Sequence, residues 1–137
     1  MPISEAGVAA KISEISNRLA DPSYTQLAVA HFIESQPHAS RYLSLRLEQE
    51  GPAQLMHAVF HAEVIVECLR EGFGREVGVV DFEDLDSACR VEDSLLWFHE
   101  NEPALASYLQ ANIDSEPIQE CLRTVGIALV RTVSETK

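Results

Sequence analysis

Two histidines four residues apart, His57 and His61 in Leu55-Met56-His57-Ala58-Val59-Phe60-His61, are the first residues whose type and spacing could do chemistry. On a helix that spacing leaves the imidazoles about 40° apart around the axis, close enough for both to reach one metal ion. Cys68 shares their face, but seven residues beyond His61 is about 10 Å along the axis, too far to complete the same site. The remaining ligands would have to come from other helices, and His31, Glu34, His99 and Glu100 are the candidates. There is no His-Glu-x-x-His and no Glu-x-x-His of the kind found in carboxylate-bridged di-iron bundles. The plainer reading is a pair of neutral or hydrogen-bonded histidines on a largely buried helix. Glu63, Glu67 and Arg70 follow on the same helix and read as its polar face.

Other chemistries find less support. A mid-helix histidine in a small acidic helical chain suits a phosphotransfer bundle, but His57 lacks the following Lys and Gly and sits among apolar residues. No Gly-x-Ser-x-Gly, phosphate loop or dinucleotide fingerprint occurs. Cys68, Cys89 and Cys121 share no short spacing; Cys68 and Cys121 fall on apolar stripes and read as small core residues. The expectation is therefore a non-enzyme without a cofactor.

Periodicity and breaks define the elements that would position these residues. Val8, Ile12, Ile15 and Leu19 recur at helical spacing after Ser4, a good N-cap. Asp21-Pro22 predicts the start of a second helix reaching Ser35, Pro37 opens a third to about Glu50, and Pro52 a fourth to Glu71. Gly72, Gly74 and Gly78 mark a loop over 72–83, extended but without a second segment to pair with as a strand. A fifth helix spans about 83–101, Pro103 opens a sixth, and Pro117 a seventh whose Ile118, Cys121, Leu122, Val125 and Leu129 form an amphipathic stripe. Gly126 on that helix can admit a close neighbour.

Phe32-x-Glu34-x-x-Pro37-x-x-x-x-Tyr42-Leu43 matches Phe98-x-Glu100-x-x-Pro103-x-x-x-x-Tyr108-Leu109 at a constant offset of 66, and Pro52 matches Pro117 one residue out of step. The expected architecture is a single all-α domain over 1–137. It is a compact bundle of two sequence-similar three-helix halves, 22–71 and 84–134, plus an extra N-terminal helix without counterpart.

Comparing the halves sets Trp97 opposite His31. Projected on one continuous fifth helix, Trp97 falls on a charged face with Asp86, Arg90, Asp93 and Glu100, whereas His31 shares its face with Tyr24 and Leu27. Helix 1 is expected to cover the Tyr24/Leu27/His31 face, leaving Trp97 free as an interface anchor, unless the loop 72–83 folds over it.

The formal charge is −12, from 22 acidic and 10 basic residues. That disfavours nucleic acid and anionic membrane as partners, since both need clustered Lys and Arg. Nine acidic residues and only Arg90 as a base lie between Glu76 and Glu102, which fits either a solvated face or a docking surface for a basic protein. The N-terminus does not read as a signal peptide, the most apolar segment (55–69) is interrupted by charges, and the odd cysteine count suits reduced thiols, so a cytoplasmic protein is expected. The functional expectation is a non-catalytic interaction or regulatory module, self-associating as a homodimer. The alternative is a helical small-ligand or metal-binding protein with its site between the halves.

Overall fold

The computed structural model describes residues 2–135, which form eight α-helices and no strand. Helix α1 (Glu5–Arg18) is capped by Ser4, whose Oγ accepts from the Gly7 amide at 2.9 Å. Helix α2 (Tyr24–Ser35) starts later than Asp21-Pro22 suggests. The Asp21 carboxylate accepts from both the amide and the hydroxyl of Ser23, which closes a turn of its own and leaves Ser23 as N-cap. Prolines at the first helical position open α3 (Pro37–Arg46) and α4 (Pro52–Phe73), as expected. Helix α4 runs through Gly72 and stops at Gly74, whose φ of 68° is the left-handed cap conformation that glycine adopts without strain.

The expected fifth helix is two. Helix α5 (Phe82–Cys89) opens with a capping box between Asp81 and Asp84, and α6 (Ser94–Asn101) opens with Asp93 accepting from the Leu96 amide. The acidic cap at Asp93 offers the backbone a helix start, and the chain breaks over 90–93 to use it. Helices α7 (Pro103–Asn112) and α8 (Glu116–Glu135) complete the chain.

The two longest helices, α4 and α8, pack on each other at the centre. Their middles, 61–66 and 121–130, are buried, and the expected stripe Ile118, Cys121, Leu122, Val125 and Leu129 of α8 is buried throughout. Helices α1, α2 and α3 lie against α4, and α5 and α6 against α8. Helix α1 also packs on α7, and α5 on α3.

Two buried polar side chains tie the segments that lead into α1 and α5. Glu102, the residue before Pro103, accepts from the Ile3 amide at 3.0 Å. Gln36, the residue before Pro37, accepts from the Val80 amide at 3.0 Å and donates to the Gly78 carbonyl at 2.9 Å. Among the described residues no helix is long and apolar enough to cross a membrane.

Candidate functional site

The Trp97 face changes with the helix break. Asp86 lies on α5, Arg90 ends it, Asp93 caps α6, and Glu100 lies near the end of α6; all four are exposed. They are not the single helical face that a continuous helix would make. Trp97 is half-buried, its ring edge-on to Phe98 at 5.3 Å, with the Arg131 guanidinium 5.9 Å from its centroid. Its cover thus comes from α8, while the preceding loop is tied to Gln36. Helix α1 does not cover the α2 face. Its Val8 and Ile15 are buried where it packs on α4 and α7, Lys11 reaches Glu71 of α4 at 2.7 Å, and Leu27 is 64% exposed.

His57 and His61 do come together, their rings edge-to-face at 4.4 Å. The two are in different environments. His61 is buried and its Nδ1 is engaged by the Tyr108 hydroxyl of α7. Burial, and then the neighbouring His57, pull its pKa down to about 4, so it is neutral near pH 7. His57 is exposed and lines a cleft of about 490 Å³ between the first turn of α4 and the α7–α8 connection, with Gln54, Asn112, Asp114 and Ser115. The cleft does lie between the halves, but His61 and the tyrosines do not line it. Among the described residues, neither histidine belongs to a group of three metal-ligating side chains.

The ionisable groups converge elsewhere, where α2 crosses α4. Residues 63 and 67 are one turn apart on α4, and His31 of α2 faces them. His31 Nδ1 lies 2.7 Å from Glu63 Oε2, and ligand atoms of His31, Glu63 and Glu67 all lie within 4.8 Å of one another. Glu63 is 5% exposed, not part of an outer polar face, and its Oε1 is buried without a hydrogen-bond partner. Burial first, then Glu67, hold its carboxyl well above the usual carboxylate range, against the pull of Arg70. Arg70 pairs with Glu67 and more distantly with Glu76. The cluster floors a cleft of about 360 Å³ bordered by Arg18, Tyr24 and Leu27. The sequence signal was the separation of four residues between Glu63 and Glu67; what hid the site was the expectation that α4 shows these residues to solvent.

An apolar groove lies on the same half, between α2, α3 and α4. Val29, Leu55 and Val59 form its floor, and Ile33 and Met56, 49% and 44% exposed, stand at its edges around about 370 Å³. Compared with protein-family models, with curated proteins and with solved structures, the chain matches none.

Proposed function

We propose that this chain is a non-catalytic binding module that receives an apolar, basic-flanked helical segment of a partner protein in the groove between α2, α3 and α4. The observation that carries this reading is the groove itself, where the large apolar side chains of Ile33 and Met56 stand exposed beside an apolar floor. Such a groove takes the apolar face of an amphipathic helix, anchored at i and i+4. The chain's charge of −12 favours a basic partner and opposes a second copy with the same charge. The half-buried Trp97, under Arg131, is the weaker anchor of the two.

The test uses a fluorescein-labelled amphipathic Leu/Lys helical peptide, with fluorescence anisotropy as the readout. The intact chain should bind it saturably. Ile33→Asp and Met56→Asp should each weaken binding tenfold or more, although each adds a negative charge that attracts the peptide. Both sites are exposed, so the fold should survive. Equal or tighter binding by both variants would refute the groove and leave only general charge attraction. A homodimer that these substitutions dissociate in sedimentation equilibrium would instead make a second copy the occupant.

We also read the two halves as copies of one four-helix unit. The repeated Phe-Glu-Pro-Tyr-Leu positions support this, as do the matched packing of α1 and α5 and the matched ties of Gln36 and Glu102.

A further inference from the structure

Independently of the groove, we propose that His31, Glu63 and Glu67 bind a divalent first-row transition-metal ion of the zinc or manganese type. Three observations lead there. First, one imidazole nitrogen and two carboxylates from two packed helices lie within 4.8 Å of one another, slightly wider than donors at about 2.0–2.2 Å from one ion, so small side-chain rotations would close the shell. Helix α4 sets the two carboxylates one turn apart, and α2 brings the imidazole against them.

Second, Glu63 is buried with Oε1 unpartnered. Its Oε2 meets His31, and beside Glu67 a buried carboxyl needs either a proton or a cation at the free oxygen, a place a metal ion would fill. Arg70 acts on Glu63 only from a distance, since its guanidinium engages Glu67 and Glu76. Arg18 is turned to Glu14.

Third, packing does not demand acids at these places. At the matching offset of 65 in the second half stand Ala128 and Thr132, and opposite His31, at the offset of 66, stands Trp97. The same helix crossing is thus built once with small and aromatic side chains and once with three ligand types. Arg70 beside Glu67 orients that carboxylate, the kind of outer partner that metal ligands commonly have.

The donor set selects the ion. One nitrogen among oxygens disfavours calcium and magnesium, which take all-oxygen shells, and the absence of sulfur from the cluster disfavours cuprous copper. Three protein ligands leave at least one position open toward the cleft bordered by Tyr24 and Leu27, where water would complete the shell.

The test is isothermal titration of the untagged, chelator-stripped full chain with zinc chloride and, separately, manganese chloride. Visible absorption on adding cobalt(II) provides a second readout. The expected result is one ion per chain. Glu63→Gln, nearly the same shape, should weaken binding about 100-fold or more and abolish the cobalt bands. Glu67→Gln and His31→Ala should weaken it tenfold or more. The His31 side chain is about half exposed, so its loss cannot be ascribed to misfolding. His57→Ala, about 9 Å along α4 from Glu63 and outside the cluster, should leave binding unchanged. Absence of stoichiometric binding would overturn the proposal, as would binding that survives both His31→Ala and Glu63→Gln or binding that vanishes with His57→Ala.

Discussion

Replacing Gly126 by alanine should destabilise the chain, although alanine is the better helix former. Gly126 is buried in the middle of α8, where a Cβ would stand 2.6 Å from Phe98 Cζ and 3.4 Å and 3.5 Å from the two Cε atoms. Carbon atoms pack at about 3.5–4.0 Å, so the ring would have to retreat by about 1 Å. Phe98 is fully buried on α6, with no solvent side to move toward. Intrinsic propensity favours alanine by about 1 kcal/mol. Overpacking costs about 1–3 kcal/mol, and a buried aromatic ring belongs in the upper half of that range. The net expectation is a loss of about 1–2 kcal/mol, or about 3–8 °C in Tm for a chain of this size. Urea unfolding followed by far-UV circular dichroism measures it. A double-mutant cycle with Phe98→Leu should return a coupling of about 1 kcal/mol or more, because the shorter side chain makes room for the methyl. A rise in midpoint for Gly126→Ala, or a coupling near zero, would show that α6 and α8 are not in the close contact described.

Stability should depend on pH through His61. Its folded pKa of about 4 lies below the unfolded value of 6.5, so from pH 6.5 downward the unfolded chain takes up a proton that the folded chain refuses. That part of the stability is intact above pH 6.5 and falls by about 1.4 kcal/mol per unit, to a total of about 3 kcal/mol near pH 4. His61→Asn should remove it, so the stability difference between wild type and variant should shrink on acidification; a difference independent of pH contradicts the assignment. Gln36→Leu should cost about 2–4 kcal/mol by stranding the Val80 amide and the Gly78 carbonyl, and hydrogen exchange at Val80 should accelerate in step.

Most of the helices were legible because prolines, caps and apolar spacing act locally. Pro37, Pro52 and Pro103 each open a helix where the sequence places one, because their fixed φ and missing N–H suit a first turn. The failures were also local in origin. Asp21 spent its carboxylate on Ser23, and Asp93 offered a cap strong enough to split one expected helix into α5 and α6. That split dissolved the face on which Trp97 was to sit with Asp86 and Arg90. The comparison of the halves set His31 against Trp97, and the ionisable cluster lies at His31.

The sequence by itself determined an all-helical chain, the helix starts at Pro37, Pro52 and Pro103, and its acidity, since these follow from residue type and short-range spacing. Only the tertiary structure decided which helix faces meet. Glu63 reads as a surface residue on a lone α4, and becomes a buried carboxylate because α2 crosses over it and brings His31 to 2.7 Å. His57 and His61 read either as a metal pair or as neutral, hydrogen-bonded histidines; in the fold one is exposed, and the other is engaged by Tyr108 of α7 and kept neutral by burial. Burial and the approach of distant side chains set charge and ligand geometry, and periodicity carries neither.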